Sequence, residues 1–335
     1  MKKYKVCLVG IGAVGTEMIR LLKKHNFPME SLTILARSER EEVIDGDTYQ
    51  VKVASPEAFE GMDFAFFAGT EGAKGASQTL GWEAVKRGCI VIDNGDDFRM
   101  DDRVPLVIPE INAEALKHHQ GFIANPNCST IIALTPLAAL HRKAKIVRII
   151  ASTYQAVSGT GSSAIKELED QVKAWAKGDP IAAEIYPKQI AFNVIAQIGS
   201  EKEPGFPSEE VKMLRETRKI FGDDTIKVCS TCVRVPVFNG HAESINVEFE
   251  QPISPEEARE LLKQAPGVRV VDDLSANEFP TPLDCSGVEE VLVGRIRKDP
   301  SCDNGLALFV AGDNIWKGAA LNAIQIAEAL VAQND

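Results

Sequence analysis

The sequence predicts an α/β protein whose first part is a parallel sheet wrapped by helices and whose second part is an α+β unit. Up to about residue 125, apolar runs of strand length alternate with helical patterns, which indicates βαβ units and a parallel sheet. From about residue 150, longer strand-like runs follow one another without strict alternation. A chain of 335 residues is long enough for two such domains.

In the first part, each predicted element is a short apolar or amphipathic run, usually with a glycine at one end. Strands are predicted at 4–10, 31–37, 63–69 and 89–95, and helices at 16–25 and 79–88. Most of the strands end in glycine, and the second helix closes on Gly88, as a helix C-terminus commonly does.

In the second part, strands are predicted at 147–158, 225–237, 241–251, 289–299 and 305–313, and helices at 162–178, 208–221, 254–265 and 316–333. Ser208 and Ser254 each precede glutamates and are predicted N-caps. Pro236 with Asn239-Gly240 predicts a hairpin turn between two strands. The last helix is apolar and Ala-rich, so it should pack against other parts of the chain.

Composition narrows the class of protein. The chain is 44% hydrophobic and 25% charged, with a net charge of −11, which disfavours nucleic acid as a partner. No run approaches the ~20 apolar residues of a membrane span, and the short, Gly-rich N-terminal run does not fit a signal peptide, so a cytoplasmic location is expected.

Seven cysteines, an odd number in a large chain, argue against a disulfide framework. Cys229 and Cys232, three apart in a strand, should point to opposite faces, which disfavours a metal or redox site.

A glycine loop follows the first strand. Gly10, Gly12 and Gly15, with Ala13 and Val14 between the last two, form G-x-G-x-x-G before a helix. Such glycines allow a tight turn and close approach of a pyrophosphate to the helix N-terminus. The context predicts a Rossmann-type dinucleotide-binding domain; the alternative is a tight packing turn.

The end of the second strand bears on which dinucleotide binds. An acidic residue there would hold the ribose hydroxyl of NAD, but the segment reads LARSER and offers Arg37 and Ser38. Arginine suits a phosphate, so NADP(H) is favoured, although Glu39 opposes this and Arg40 is equally explained as surface charge.

A thiol stands at a polar corner in NPNCST. Cys128 precedes an apolar helical run, and a cysteine at a helix start has its pKa lowered toward the thiolate, which suggests a nucleophile. The alternative is a small core residue with Asn127 or Ser129 as the cap.

Three further polar residues are candidates for the same site as Cys128. His241 follows the predicted turn and is the candidate general base. Arg234 could face a carboxylate from the same hairpin, and Gln155 is a neutral hydrogen-bonding group in an apolar strand. For the last two, an exposed strand arginine and an edge-strand glutamine are the alternatives.

Several segments together resemble the aspartate-β-semialdehyde dehydrogenase family, in the expected order along nearly the whole chain. They are NPNCSTI, YQAVSGTG, RVPVFNGHAESI, VGRIRKDPSCDNGLALFV and GDNIWKGAALNAIQIAE. The resemblance implies a dinucleotide-binding domain of residues 1–127 and 315–335 and an α+β catalytic and dimerisation domain of residues 128–314 with a mixed sheet. It implies NADPH-dependent reduction of L-aspartyl-4-phosphate to L-aspartate-4-semialdehyde and phosphate, a step toward lysine, methionine and threonine. It also implies a homodimer or a dimer of dimers.

The resemblance assigns roles residue by residue. It implies Cys128 as nucleophile, His241 as acid/base, Gln155 as orienting group, Arg234 for the substrate carboxylate, Glu209 for its amino group, Lys212 and Arg99 for phosphate with Asn127 nearby, and Asn314 beside the nicotinamide. No metal is implied.

The chain departs from the family pattern on the cofactor and phosphate side. Its glycine loop is one residue shorter than the family's G-x-x-G-x-x-G, which bears on NADP preference. Asp96 and Asp97 stand where the family has small residues before the phosphate arginine, and Glu71 lies in the loop after the fourth strand.

Three alternatives remain open at this point. N-acetyl-γ-glutamyl-phosphate reductase shares the fold and thioester chemistry, but Glu209 favours a substrate with a free ammonium. A Cys–His hydrolase would need no redox cofactor. A non-catalytic paralogue would have no need of Cys128, His241, Arg234 and Arg99 together.

Overall fold

The computed structural model describes residues 2–69 and 75–334. The chain divides into two compact units, the residues up to Asn127 together with those from Ala319 onward, and Cys128–Gly318. The second junction therefore follows Gly318, whereas the sequence placed it after Asn314. Glu71 lies outside the described residues.

The first unit contains a seven-stranded sheet. Its strands are β1 (Tyr4–Val9), β2 (Met29–Ala36), β3 (Arg40–Ile44), β4 (Asp47–Val53), β5 (Phe64–Phe67), β6 (Ile90–Asp93) and β7 (Phe122–Ala124). They lie in the order β3-β4-β2-β1-β5-β6-β7. All pairs are parallel except β3–β4. The parallel sheet is confirmed, and its order reverses at β1, where open α/β sheets bind their ligands.

The antiparallel β3–β4 hairpin was not predicted. Its turn is Asp45-Gly46, and both residues have positive φ, +52° and +88°. This is the dipeptide typical of a type I′ hairpin turn, so the sequence did carry a signal for it.

Short helices cover the first sheet. They are α1 (Ala13–Lys24), α2 (Trp82–Lys86) and α3 (Pro109–Asn112). The predicted helix at 79–88 is instead a π-helical turn, Ser77–Gly81, followed by α2. Gly81 packs closely here, since a Cβ on it would lie 2.6 Å from Cε2 of Phe122.

The second unit contains a six-stranded mixed sheet. The strands of this unit are β8 (Ile146–Gln155), β9 (Glu201–Glu203), β10 (Phe206–Pro207), β11 (Lys227–Arg234), β12 (His241–Phe249), β13 (Val268–Val270), β14 (Val291–Lys298) and β15 (Gly305–Gly312). The sheet order is β11-β8-β12-β15-β14-β13, while β9 and β10 form a separate pair. The β8–β11 and β13–β14 pairs are parallel and the others antiparallel. The α+β prediction is confirmed.

Five helices accompany this sheet in the described part of the second unit, and one more closes the chain. They are α4 (Cys128–Ala144), α5 (Ser162–Lys177), α6 (Ser208–Phe221), α7 (Pro255–Lys263), α8 (Pro282–Cys285) and α9 (Leu321–Asn334). The mostly buried α4 packs against β8, β12, β14 and β15, and α6 packs against β11. The apolar α9 belongs to the first unit and packs against α1 and α3.

Two local predictions in the second unit were wrong. β11 and β12 form no hairpin, because β8 lies between them and pairs with both. The connecting segment crosses the end of β8 instead, where the N–H of Val235 donates to the carbonyl of Gln155 at 3.0 Å. Ser208 is not a cap, because the N-cap is Pro207. Ser254 is a cap, as predicted, and accepts the N–H of Glu257 at 3.1 Å.

Among the helices of residues 2–69 and 75–334, none has the length and apolar character needed to cross a bilayer.

Candidate active site

The glycine loop has the geometry of a dinucleotide cradle. Gly10 has φ +98°, which glycine adopts without strain. A Cβ on Gly15 would lie 2.2 Å from the carbonyl oxygen of Gly10, so the loop can close on the helix only through a glycine. A Cβ on Gly12 would meet nothing within 4 Å. The first turn of α1 starts at Ala13, without a side-chain cap, so amide donors and open space coincide at a helix N-terminus.

The end of β2 supplies one arginine suited to a ribose phosphate. Arg40 is engaged, with Nε donating to Glu42 at 2.6 Å and Nη1 donating to the carbonyl of Ser38 at 3.3 Å. Arg37 and Ser38 are exposed side chains just after β2, and Arg37 has no ion pair among the described residues. The loop therefore fits the pyrophosphate of a dinucleotide, and Arg37 is a guanidinium at the strand end that the described residues leave without an ion pair.

Arg99 is a buried guanidinium in the first unit, and its Nη2 donates to the carbonyl of Asn94 at 2.7 Å. Nearby, burial raises the pKa of Asp93 to about 6, against opposing hydrogen bonds from Ser77 and the Gly95 amide. Asp97, one of the two unexpected acids, accepts a hydrogen bond from Gln78 at 3.2 Å. Asn127 is also buried and is the last residue of this unit before Cys128.

Cys128 is the first residue of α4 and is partly exposed, so the predicted placement at a helix start is confirmed. Gly318 lies against it, because a Cβ on Gly318 would be 2.8 Å from Cβ of Cys128. The N–H of Gly318 donates to the carbonyl of Asp313 at 2.9 Å. The 313–318 loop, whose last residues begin the π-helical turn Trp316–Ala320, therefore packs directly on the thiol-bearing turn.

The imidazole of His241 is held in a defined orientation at the start of β12. The N–H of Ala156 donates to its Nδ1 at 3.0 Å, so the proton of the neutral ring lies on Nε2. Burial, and then the positive charge of Arg234, hold the pKa of His241 well below its ordinary value. Nε2 has no hydrogen-bond partner among the described residues. The ring is thus neutral at pH 7 and presents an N–H donor.

Arg234 lies beside that ring. Its Nη1 donates to the carbonyl of Ala156 at 2.6 Å, and the residue is buried. Gly159 lies against both side chains, since a Cβ there would lie 2.8 Å from Nη1 of Arg234 and 3.2 Å from Nε2 of His241. The predicted exposed-strand alternative for Arg234 is therefore wrong.

Gln155 is part of a buried hydrogen-bond chain. It accepts from the hydroxyl of Thr153 at 3.0 Å and donates through Nε2 to Oε1 of Glu209, also at 3.0 Å. Nζ of Lys212 lies 4.0 Å from the other oxygen of Glu209, one turn along α6. Gln155 is thus a central strand residue that orients a carboxylate, and the edge-strand alternative is wrong.

Asn314 ties the 313–318 loop to His241. Its Oδ1 accepts the N–H of Gly240 at 3.0 Å, and its Nδ2 donates to the hydroxyl of Ser158 at 2.9 Å. The structure therefore links the loop against Cys128 with the residue before the histidine.

Sequence reasoning missed Glu243, two residues beyond His241 on β12. It is fully buried, and both carboxyl oxygens have no hydrogen-bond partner among the described residues. It pairs across the sheet with Thr153. Burial, and then the charge of Glu209, raise the pKa of Glu243 well above its ordinary value. A charged residue at an inward position of an apolar strand was the available signal.

The second unit thus holds a cationic guanidinium at the end of β11, a neutral imidazole donor at the start of β12, and a carboxylate on α6 that Gln155 of β8 orients. The helix-start thiol is joined to them through the 313–318 loop. Such an arrangement can hold a zwitterionic acyl substrate and donate a hydrogen bond to an oxygen that develops charge.

A nucleotide cradle on a parallel sheet, followed by a mixed-sheet unit with a helix-start thiol, defines a class of nicotinamide-dependent acyl-transferring dehydrogenases. The family model "Semialdehyde dehydrogenase, NAD binding domain" matches residues 5–119, and "Semialdehyde dehydrogenase, dimerisation domain" matches residues 137–317. The chain belongs to the semialdehyde dehydrogenase family, and its cofactor is a nicotinamide dinucleotide.

Relatives extend over nearly the full length. The chain is 49% identical to an aspartate-semialdehyde dehydrogenase of Aquifex aeolicus and 45% identical to one of Bacillus subtilis, with 98% of each chain covered. Among solved structures, aspartate semialdehyde dehydrogenase II from Vibrio cholerae, which has also been solved in complex with ASA, is 40% identical with a TM-score of 0.94, over 99% of both chains.

Proposed function

We propose that this protein reduces L-aspartyl-4-phosphate with NADPH, giving L-aspartate-4-semialdehyde and phosphate. The observation that carries the proposal is a pair of buried, oppositely charged side chains, Arg234 beside His241 and Glu209 bonded to Gln155. Arg234 suits a substrate carboxylate, and Glu209, oriented by Gln155, suits an ammonium. The relatives' names agree with a substrate of this kind.

Cys128 is the proposed nucleophile. Its sulfur forms a bond to the acyl carbon as the carbon–oxygen bond to phosphate breaks, which leaves a thioester and free phosphate. Lys212 and Arg99 are proposed to neutralise the phosphate charge, and Asn127 is proposed to lie beside it. When bound, the reduced nicotinamide supplies a hydride.

His241 is proposed to stabilise the negative charge that develops on the acyl oxygen. Because Nδ1 accepts the Ala156 amide, the side chain acts first through Nε2–H, as a donor to that oxygen. The carbon–sulfur bond then breaks to release the aldehyde, and the thiolate of Cys128 is restored. In this orientation the neutral ring is a hydrogen-bond donor, and using Nδ1 as a base would require breaking the Ala156 hydrogen bond.

Residues of the first unit would hold the phosphates of the cofactor. The Gly10, Gly12 and Gly15 backbone, with Ala13 and Val14 in the first turn of α1, would take the pyrophosphate. Arg37 and Ser38 would take the ribose phosphate, which favours NADP over NAD. Asn314 would lie on the nicotinamide side.

We further propose that the protein is a homodimer. The domain description of the family model at residues 137–317 supports this, and dimers with two-fold symmetry are the commonest oligomers.

A steady-state assay tests the proposal. Aspartate semialdehyde and phosphate are supplied with NADP or with NAD, and formation of the reduced nucleotide is followed. We expect turnover with the aspartyl substrate and a higher kcat/KM with NADP. The N-acetylated glutamate semialdehyde serves as the competing substrate and should not react, since it offers Glu209 no ammonium.

Cys128→Ala provides the matched test of the chemistry. It should abolish turnover and leave the nucleotide Kd within a few-fold of wild type. Preference for the acetylated substrate, or turnover in Cys128→Ala, would contradict the proposed function.

A further inference from the structure

A charged cavity lies in the second unit and is lined by none of the residues assigned above. It has a volume of about 340 Å³, at the lower end of the range for small-molecule sites. The polar side chains that line it are Arg259, Arg295, Arg297, Asp272, Asp273 and Ser275. We call it the arginine pocket.

A bulge in β14 shapes the pocket. The pairing of β14 with β15 shifts register between Gly294 and Arg297, so that Gly294 pairs with Phe309 and Arg297 with Ala307. Arg295, within the bulge, has φ +53°, a strained conformation that glycine would adopt freely. Bulges re-aim side chains, and this one places an arginine at the pocket.

The carboxylates of the pocket are already engaged. Asp272 accepts Nε of Arg259 at 2.8 Å, and Arg259 also donates to the carbonyl of Ile296 at 3.0 Å. Asp273 accepts the hydroxyl and the N–H of Ser275, at 2.7 and 2.9 Å. These two acids are therefore committed to Arg259 and to the loop at Ser275.

The other two arginines remain available. Arg297 donates Nη1 to the carbonyl of Arg295 at 2.7 Å, which braces the bulge. Both side chains are exposed. Neither has an ion pair within 4.0 Å in residues 2–69 and 75–334. Hydrogen bonds from Ser301 and Asn246 hold the pKa of Asp299 below its ordinary value, and the nearby charge of Arg297 lowers it further. Asp299 is therefore committed to Asn246 and Ser301. Two guanidinium groups that line one pocket match an anion that accepts paired hydrogen bonds.

We propose that the arginine pocket binds a small anion bearing a carboxylate or phosphate group, held by Arg295 and Arg297. The Arg259–Asp272 pair forms the fixed wall of the site. This site is separate from the proposed reaction and does not depend on it.

Isothermal titration calorimetry on the full chain tests the proposal, with pyrophosphate and succinate as probes. Arg295→Gly removes the guanidinium and accepts the positive φ, so the variant should fold. We expect its Kd for the better probe to rise at least about tenfold, equivalent to about 1.4 kcal/mol. Arg297→Gln should weaken binding in the same direction.

Arg269→Ala is the matched control, because Arg269 is an exposed arginine on neighbouring β13 that does not line the pocket. Its Kd should equal that of wild type. Tighter binding of pyrophosphate would identify a phosphate ligand and tighter binding of succinate a carboxylate ligand. If a probe binds at the proposed active site, that binding persists in Arg295→Gly, which distinguishes it from binding in the arginine pocket. Absence of binding by both probes at millimolar concentration, or equal Kd values in wild type and Arg295→Gly, would overturn the proposal.

Discussion

Replacing Gly159 by alanine tests whether the site depends on the close packing of Arg234 and His241. The added Cβ would lie 2.8 Å from Nη1 of Arg234 and 3.2 Å from Cε1 and Nε2 of His241. Ordinary contact begins near 3.4 Å, so the guanidinium must move by about 0.6 Å and the imidazole by a few tenths of an ångström. Both groups are anchored through Ala156, one at its carbonyl and the other at its N–H, so neither can move without losing a hydrogen bond.

The expected result is a fall in kcat/KM of about 10- to 100-fold, because displacements of about 1 Å in a catalytic site cost up to about 10²-fold. Displacement of Arg234 should appear as a higher KM for aspartate semialdehyde, and displacement of His241 as a lower kcat. Overpacking should also destabilise the fold by about 1–3 kcal/mol. The assay is steady-state reduction of NADP, with thermal unfolding measured in parallel.

Ser163→Ala, an exposed substitution in the first turn of α5, is the control and should behave as wild type. Wild-type kcat, KM and Tm in Gly159→Ala would refute the reasoning, since the two side chains would then have room that the structure does not show.

Two further substitutions test the buried acid and the glycine loop. The pKa of Glu243 is raised in the folded protein. The contribution of Glu243 to the free energy of unfolding is therefore fully present below the pKa of this group in the unfolded chain. It is lost as pH rises toward the folded-state pKa, by about 1.4 kcal/mol per pH unit. Glu243→Gln cannot titrate, so its stability relative to wild type, measured by urea unfolding, should increase from pH 5 to pH 8. Gly15→Ala places a Cβ 2.2 Å from the Gly10 carbonyl oxygen; the loop should open, and the Kd for NADPH, measured by fluorescence, should rise at least about tenfold.

Each of these has an outcome that contradicts it. Parallel stability profiles for wild type and Glu243→Gln would mean that Glu243 titrates normally in the folded protein. An unchanged NADPH Kd in Gly15→Ala would mean that the glycine loop does not hold the nucleotide. Gly46→Ala, in the β3–β4 turn and away from that loop, controls for loss of a glycine in the same unit.

Local patterns in the sequence were sufficient for several features of the fold. The apolar run of β1 followed by Gly10 predicted the central strand and its loop, because burial on both faces and a tight turn each leave a local signature. The signal for the start of α4 at Cys128 was equally local, because polar residues before an apolar run indicate a helix N-terminus.

The hairpin prediction was wrong because a strand distant in the sequence lies between two strands that are consecutive in the sequence. β11 and β12 are joined by a turn-like segment, yet β8 pairs between them, and turn residues alone carry no information about a third strand. The buried carboxyl of Glu243 and the positive φ of Arg295 likewise depend on what lies across the sheet.

The sequence by itself determined the two-part architecture, the nucleotide loop and the identities of the thiol and imidazole, because these follow from residue type and periodicity along a few turns or strands. Tertiary structure decided which nitrogen of His241 carries the proton, that Gln155 orients Glu209, and that Gly159 must be small. Those properties arise from atoms that strand pairing, the packing of α6 and the turn at Gly159 bring to about 3 Å from each other, and such distances are not encoded in any single segment.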